Sequence, residues 1–337
     1  MHKFALACVA CFVSVAMAQQ APPLAPPVVI LPIASLLLHE QSAAFRAVAL
    51  DLPKVYAVDF LGGVYSFKID PQMQSQTVGV CEFVQTKTTG RAIHVYRDSL
   101  LIPRFGELYR FRLPDLRGAI PSSIVGRQQE WPTRAIIEGH SQLFLLEPYR
   151  IASYQLDGVD SDPRLTSSFE SGELWWCGSV RGQFINASMT RPADRFIGIA
   201  ILEIGADGKL QRRGELKTQG VIYGVHACAN QQLALVHGPD VNQITMVDAT
   251  NPDAPLRARQ FEFPTTKASV LAKIHDKEVL VTGLEGAVID GEQLIHVAYP
   301  YQAAETLGGE CYFGDVQEEW VALPADREIQ IVRIVPK

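Results

Sequence analysis

A short phrase recurs along the chain and constrains its fold more than any other feature. The phrase is Arg-Ala followed by a β-branched residue, and it begins at Arg46, Arg91 and Arg134, at intervals of 45 and 43 residues. Arg181 follows 47 residues later and continues the spacing. A period of about 40–50 residues built from short strands is typical of β-propellers and related repeat arrays. The sequence therefore predicts a repeating all-β architecture.

Short strand-like segments occupy the same place in each repeat. Each of the first three repeated arginines lies nine residues before an apolar run, and an alternating segment follows after a turn. The apolar runs, predicted as second strands, are residues 55–58, 100–102, 143–146, 233–236 and 279–281. The alternating segments, predicted as third strands, are residues 64–70, 108–113, 151–157, 199–204 and 244–248. Their β-branched and aromatic content favours half-buried strands.

The length of the repeat region sets the number of units. Residues 43–337 comprise 295 residues, and at about 44 residues per unit this corresponds to six or seven units. We predict a β-propeller with seven four-stranded blades, with six blades as the alternative. Residues 328–334 are predicted as the final strand.

The N-terminal residues indicate export. Lys3 precedes an apolar stretch over residues 4–15, and Ala16-Met17-Ala18 is a small-x-small cleavage pattern, so residues 1–18 are predicted to be a signal peptide. Residues 19–42 are predicted to form a proline-rich tether, in which residues 28–38 are a possible ring-closing strand. The propeller is assigned to residues 43–337. We expect a periplasmic or secreted protein with no transmembrane segment after signal cleavage.

Charge and motifs exclude several classes of function. The formal net charge is -6 and no basic run stands out, which argues against nucleic acid or an anionic membrane surface as the partner. Hydrolase elbows, metalloprotease helices and phosphate-binding loops are missing from the sequence. These absences disfavour an enzyme, and we expect neither a cofactor nor a bound metal.

Four cysteines follow the predicted signal peptide: Cys81, Cys177, Cys228 and Cys311. Export permits disulfide bonds, and four cysteines allow three complete pairings. The spacing selects none of them, and buried unpaired thiols are an equal alternative.

The repeated arginines are the sharpest candidate for a binding site. Arg46, Arg91, Arg134 and Arg181 are predicted at the starts of innermost strands, where they form an arc at one mouth of the channel. Converging guanidinium groups favour a carboxylate, phosphate or sulfate, or an acidic side chain of a partner. In the alternative interpretation each arginine is structural, and pairs with an acid of the next blade or caps backbone carbonyls.

Histidine and tryptophan side chains are weaker candidates. His94 and His226 fall near innermost strands and are predicted to face the channel, where histidine can ligate metal. Trp175 and Trp176 are adjacent in a predicted link between the third and fourth units, so one ring is a candidate for exposure as a partner or sugar contact. Core packing is the alternative for both rings.

The fifth unit resembles a known repeat. Residues 233–238 form an apolar strand ending in glycine, and residues 244–255 carry Ile-Thr-Met-Val-Asp followed by Pro252 and Pro255. This pattern resembles the LVIVD repeat. The resemblance implies an exported β-propeller and brings no catalytic residues with it.

These observations give a leading functional hypothesis. The chain is predicted to be an exported binding or scaffold protein of the cell envelope that holds an acidic partner segment or an anionic ligand at an arginine-rimmed mouth. The alternative is a propeller enzyme, either a hydrolase or a quinoprotein-like oxidoreductase, with a site at the channel mouth. A structural subunit of an envelope complex is the third hypothesis.

Overall fold

The described part of the chain consists mostly of β-strands. A computed structural model describes residues 26–37, 44–72, 76–80, 82–85, 91–104, 107–114, 116, 123–126, 133–139, 141–155, 163–238, 240–291, 293–301, 312–325 and 327–337. Within them the one helical element is a 3-10 turn at Pro192–Asp194. The strands are β1 (Val28–Leu37), β2 (Phe45–Asp51), β3 (Lys54–Asp59), β4 (Gly63–Lys68), β5 (Gln76–Val78), β6 (Glu82–Gln85), β7 (His94–Tyr96), β8 (Ser99–Arg104), β9 (Glu107–Arg112), β10 (Ser123–Gly126), β11 (Ala135–Gly139), β12 (Gln142–Gln155), β13 (Arg164–Arg181), β14 (Phe184–Arg191), β15 (Phe196–Ile204), β16 (Leu210–Lys217), β17 (Ile222–Ala227), β18 (Gln232–His237), β19 (Gln243–Asp248), β20 (Leu256–Glu262), β21 (Ala268–Ile274), β22 (Lys277–Val281), β23 (Gly286–Asp290), β24 (Gln293–Val297), β25 (Tyr312–Phe313), β26 (Asp315–Gln317), β27 (Trp320–Ala325) and β28 (Glu328–Pro336).

Successive strands pair with one another as antiparallel meanders, which is the strand arrangement of a propeller blade. The hydrogen-bonded sheets have the orders β26-β27-β28-β1-β5, β10-β9-β8-β7, β11-β12-β13-β14-β15-β16, β17-β18-β19-β20 and β24-β23-β22-β21-β25-β2-β3-β4-β6. The all-β propeller prediction is confirmed.

The six-stranded sheet contains two long strands, of which β12 folds back within one meander and β13 connects that meander to the next. The first part of β12 pairs with β11, and its second part pairs with the first part of β13. Ser153 Oγ donates to Gln142 Oε1 at 2.9 Å, so the two ends of β12 lie side by side as a hairpin. The second part of β13 then pairs with β14. One strand therefore ends one meander and begins the next.

The inner strands all begin at one face of the ring. β21 and β2 each pair in parallel with β25, with Ala47 and Ser269 both opposite Phe313. A meander of four antiparallel strands returns the chain to the face from which it started, so each later inner strand begins there again. We name this the upper face. Among the residues that the structure describes, the links between meanders and the turns between second and third strands also lie on it, and the remaining turns lie on the lower face.

The first and last described strands close the ring. β1 pairs antiparallel with β28 from Val28 opposite Pro336 to Leu37 opposite Glu328. β5, from the loop between β4 and β6, pairs in parallel with the outer side of β1. Lys337 N donates to Pro27 O at 3.0 Å, which places both described ends of the chain together on the lower face.

Apolar side chains fill the spaces between adjacent sheets. One such cluster joins Tyr56 and Val64 to Leu100 and Phe111 of the next meander, all with little or no exposure. The predicted second strands lie within β3, β8, β12, β18 and β22, and the predicted third strands overlap β4, β9, β12, β15 and β19. These strand positions are confirmed. The strands are not half-buried as predicted, however, since strands such as β3 and β4 are buried on both sides between neighbouring sheets.

Several N-terminal and cysteine predictions fall outside the described residues. The predicted signal peptide, half of the tether, Cys81 and Cys311 lie there. Cys177 and Cys228 are buried free thiols, so the described part of the chain contains no disulfide bond. No helix within the described ranges is long and apolar enough to cross a membrane.

The position of β1 in the closed ring predicts that alanine substitutions at two adjacent leucines destabilise the protein by different amounts. Leu36 is fully buried against the core of the first meander, whereas Leu37 is half-buried on the other side of β1. We expect Leu36→Ala to lower the free energy of unfolding by about 2–5 kcal/mol. Leu37→Ala serves as the matched control and should cost less than about 1 kcal/mol. Urea denaturation measures both, and equal losses would contradict the placement of β1.

Candidate binding face and central channel

Three of the four repeated arginines lie at the upper face. Arg46 is the second residue of β2, Arg91 lies three residues before β7, and Arg134 immediately precedes β11. The sequence prediction that they stand at the starts of innermost strands agrees with these positions. β2, β7 and β11 belong to three successive meanders, so the three guanidinium groups are carried by neighbouring parts of one rim.

Arg181 departs from the predicted arrangement. It is the last residue of β13, so it lies at the lower end of an inner strand rather than at its start. Arg181 Nη2 donates to the carbonyl oxygen of Ala249, which follows β19 on the lower face, at 3.0 Å. Burial lowers the pKa of Arg181, and the charge of Asp248 partly compensates. The predicted four-residue arc is therefore an arc of three.

Aromatic rings hold two of the three upper arginines. The guanidinium carbon of Arg46 lies 4.6 Å from the ring centre of Phe60 and 4.9 Å from that of Tyr312. That of Arg134 lies 3.5 Å from the ring centre of Trp176. Stacking uses the flat face of a guanidinium group, whereas carboxylates and phosphates are recognised along its edge. These stacks therefore fix the orientation of both groups, and the Nε and Nη1 atoms of each are buried.

The paired tryptophans have separate roles. Trp175 is fully buried, and its indole nitrogen donates to Ser171 Oγ at 3.0 Å. Trp176 is half-buried, donates to Thr190 Oγ1 at 3.1 Å, and carries Arg134 on its ring. Both lie where β13 leaves its pairing with β12 and begins its pairing with β14, which agrees with the predicted position between the third and fourth units. Core packing thus describes Trp175, and Trp176 supports the upper rim.

Buried polar residues hold the upper turns in place, a feature that the sequence analysis missed. They stand at or next to the ends of second strands: Asp59, Glu147, His237 and Thr282, each no more than 2% exposed. A buried polar group is stable only when its hydrogen bonds are satisfied, so each of these residues ties its turn to a fixed conformation. The sequence signal that could have identified these residues is a polar residue directly after the apolar run of each second strand.

Asp59 shows how such a turn is built. Its Oδ1 accepts hydrogen bonds from the backbone N–H groups of Leu61 and Gly63, both at 2.7 Å, and its Oδ2 accepts from Tyr65 Oη at 2.5 Å. A Cβ at Gly63 would meet Asp59 Oδ2 at 2.7 Å, so only glycine fits this place. The turn thereby presents Phe60 to Arg46 and leaves Leu61 exposed.

Glu147 performs the equivalent task in β12. It accepts hydrogen bonds from Thr133 Oγ1 at 2.9 Å and from Arg150 Nε at 2.7 Å. Burial raises the pKa of Glu147, although the charge of Arg150 opposes this. The turn above it holds Tyr149 at a φ of 66°, in the left-handed region that a bulky residue rarely adopts. Such strain often accompanies functional positions.

Exposed apolar side chains are concentrated on the upper face. Five large apolar residues on its turns and links are more than a third exposed: Phe60, Leu61, Tyr149, Val221 and Val241. The other three found in the described ranges, Phe83, Leu165 and Leu256, lie on outer strands. Aromatic and arginine side chains together are typical of protein interfaces, so the upper face has the composition of a binding surface.

The central channel contains a cavity of about 260 Å³. Its walls come from the inner strands and include the two predicted histidines, His94 and His226. His94 Nε2 lies 2.8 Å from Glu138 Oε2, and His226 Nε2 lies 2.8 Å from Ser269 Oγ. Gly224 provides room for the second pair, since a Cβ there would meet Ser269 Oγ at 2.2 Å.

The His226–Ser269 pair has the spacing of a catalytic base and nucleophile. However, burial lowers the pKa of His226 to about 4, and a general base works best with a pKa near the operating pH. We therefore assign this hydrogen bond to the packing of β17 against β21. Within the described ranges, no group of three or more His, Cys, Asp or Glu residues could hold a metal ion.

Asp315 places a carboxyl in the channel wall. Its oxygens accept hydrogen bonds from the backbone N–H groups of Leu50 at 2.7 Å and Val316 at 2.8 Å. Burial raises its pKa, and these hydrogen bonds act in the opposite direction. Since Leu50 belongs to β2, Asp315 joins the last meander to the first.

A network of charges lies at the start of the second part of β13. Glu173 Oε1 accepts from Arg212 Nη1 at 2.9 Å and from Arg191 Nη1 at 3.4 Å, and both arginines also bind Glu215. Burial opposes the ionisation of Glu173, but hydrogen bonds from Arg212 and Ser171 outweigh it and lower its pKa to about 2.

Comparisons with known proteins identify the fold but no family. No family model matches the chain, and no curated protein matches it. Among solved structures, the WD40 β-propeller domain of Doa1 is 12% identical, with a TM-score of 0.64 over 90% of this chain and 96% of that chain. The WD40 domain of Neurospora crassa Pan2 is 10% identical, with a TM-score of 0.65 over 93% and 97%. A chain of a mitotic checkpoint complex is 12% identical, with a TM-score of 0.64 over 98% and 100%. At such identities the likeness shows a β-propeller fold alone.

The hydrogen bonds that anchor the first upper turn predict that removal of the Asp59 carboxylate strongly destabilises the protein. Asp59→Ala leaves two backbone N–H groups and the Tyr65 hydroxyl without their acceptor, and we expect it to lower the free energy of unfolding by about 3 kcal/mol. Tyr65→Phe removes one of the three hydrogen bonds and should cost about 1 kcal/mol. Urea denaturation compares the two variants, and an equal loss would show that the turn does not depend on Asp59.

The ionisation of Glu173 predicts a pH-dependent contribution to stability. Its pKa is lowered on folding, so its ion pairs stabilise the protein above the ordinary carboxyl pKa and are lost as pH falls toward about 2. We expect Glu173→Gln to lower the free energy of unfolding by roughly 3 kcal/mol at pH 7, with the difference shrinking between about pH 4.5 and 2. Denaturation at several pH values measures this, and a constant difference would contradict it.

Proposed function

We propose that this chain is an exported β-propeller binding protein of the cell envelope that holds an acidic partner segment or an anionic ligand at the upper mouth of its channel. The observation that carries the proposal is the position of Arg46, Arg91 and Arg134 on neighbouring inner strands at one rim. Oriented guanidinium groups beside a partly dry channel favour carboxylate, phosphate or sulfate groups.

The surroundings of the arginines support this role. Arg46 and Arg134 are oriented by ring stacking, and an arginine held in place loses less side-chain freedom when it binds a ligand. The same stacks stabilise the contact between meanders, so these arginines serve both packing and recognition. A purely structural role is the competing interpretation, and the experiment below separates the two.

We infer that the ring has seven blades. The channel lining includes Val48, Ile93, Ile136, Gly178, Tyr223, Val270 and Gly314. These seven residues lie on or beside β2, β7, β11, β13, β17, β21 and β26, which are separate inner strands. An experimental structure at side-chain resolution tests the count.

Export and the repeat family remain parts of the proposal. The N-terminal pattern of residues 1–18 supports a periplasmic or secreted location. The fifth meander, β17 to β20, carries the segments that resemble the LVIVD repeat. One of the similar folds belongs to a mitotic checkpoint complex, and by fold-level analogy a propeller that assembles with other proteins is a reasonable expectation.

The arrangement of arginines predicts which substitutions weaken binding. We expect Arg91→Ala combined with Arg134→Ala to weaken binding of inorganic phosphate or a synthetic oligo-aspartate peptide at least about tenfold, because each charged hydrogen bond contributes roughly 1.5–3 kcal/mol. Isothermal titration calorimetry measures this, and binding should weaken further as salt is raised.

Arg181→Ala is the matched control, since its side chain lies at the lower end of the channel. It should leave binding unchanged. Unchanged binding in the Arg91/Arg134 double variant, together with a large fall in melting temperature, would establish the arginines as structural. Turnover of ester, lactone or alcohol substrates by the purified protein would favour the enzyme alternative.

A further inference from the structure

We propose that the partner at the upper face is a polypeptide segment carrying both acidic and large apolar side chains, with Phe60, Leu61 and Tyr149 as its apolar contacts. This inference rests on the proposed function, because Arg46, Arg91 and Arg134 supply the complementary charge. It adds the chemical class of the partner and the side chains that contact it.

The first observation is the exposure of three large apolar side chains on two upper turns. Phe60 is 47% exposed, Leu61 is 51% exposed and Tyr149 is 39% exposed. Isolated exposed apolar residues are ordinary, but several on one face together with arginine indicate an interaction site. The turns of the lower face carry none of the exposed large apolar residues found in the described ranges.

The second observation is that these side chains are held rigidly. Asp59 fixes the turn that carries Phe60 and Leu61, and Glu147 with Arg150 fixes the turn that carries Tyr149. Two buried carboxylates are thus used to hold two exposed apolar turns. Preorganised contacts bind more tightly because little conformational entropy remains to be lost on association.

The third observation joins the apolar and the charged parts. Phe60 is both exposed and stacked on Arg46, so a partner that contacts its ring lies directly beside a guanidinium group. Aromatic residues and arginine are the side chains most enriched at the energetic centres of interfaces. A complementary partner places a carboxylate beside an apolar side chain.

The spacing of the anchors favours a polypeptide over a small anion. Phe60 and Leu61 belong to the meander of β2 to β6, and Tyr149 belongs to β12, with the meander of β7 to β10 between them. A ligand that contacts both turns must cross the intervening meander, and Arg91 lies on that meander. An extended chain of several residues satisfies this requirement, whereas a single phosphate does not.

The test is selection from a phage-displayed library of random 12-residue peptides. The protein is immobilised through its C-terminus, since Lys337 lies on the lower face. We expect enriched peptides that contain Asp or Glu together with Leu, Phe or Trp. Their affinity, measured by calorimetry, should fall at least about tenfold in the triple variant Phe60→Ala, Leu61→Ala, Tyr149→Asn. Asparagine tolerates the left-handed conformation, so this variant is expected to remain folded.

The control is Leu165→Ala with Leu256→Ala, which removes two exposed leucines from outer strands and should leave peptide binding unchanged. Enriched peptides that are purely acidic, bind the triple variant normally and fail with Arg91→Ala/Arg134→Ala would overturn this inference and leave the proposed function standing. Peptides insensitive to both sets of substitutions, or no enrichment, would overturn both. A dimer in solution that dissociates in the triple variant would identify a second copy of the chain as the occupant instead.

Discussion

The ring depends on the antiparallel ladder between β1 and β28, which joins the beginning of the chain to its end. Each meander buries its apolar faces against two neighbours, and a meander at an open gap would expose one of them. The ladder brings the last meander against the first, where Asp315 accepts the hydrogen bond of Leu50 N and Tyr312 stacks on Arg46. The contacts that close the ring therefore also set the geometry of the upper rim. β5 pairs with the outer side of β1 and extends the same sheet.

Buried carboxylates connect the core to the upper face. Burying Asp59 or Glu147 without partners would be costly, but each is surrounded by hydrogen-bond donors. These hydrogen bonds form in only one conformation of each turn. Burial of the carboxyl group therefore selects that conformation. The turns therefore hold the exposed side chains of Phe60 and Tyr149 in fixed positions.

The repeated arginines are divided between the two mouths of the channel, three at the upper mouth and one at the lower. The chain as a whole is acidic, with a formal net charge of -6, yet Arg46, Arg91 and Arg134 gather at the upper rim. In the proposed function, these arginines would attract anionic groups to that rim. At the lower end Arg181 is engaged with Ala249 O and the charge of Asp248.

The sequence by itself determined the all-β repeat and the positions of most second and third strands, because short β-branched and aromatic segments recur at similar places in each repeat. It also placed Arg46, Arg91 and Arg134 correctly, since their offset from the next apolar run is constant. It misplaced Arg181, which follows Arg134 by 47 residues. Links between meanders vary in length and β13 contains a bulge, so this interval is compatible with either end of an inner strand. Which tryptophan is buried, which carboxylates lie under turns and which apolar residues share the upper face were decided by the tertiary structure. Those properties depend on contacts between meanders that are distant in the chain, and a single sequence contains no record of such contacts.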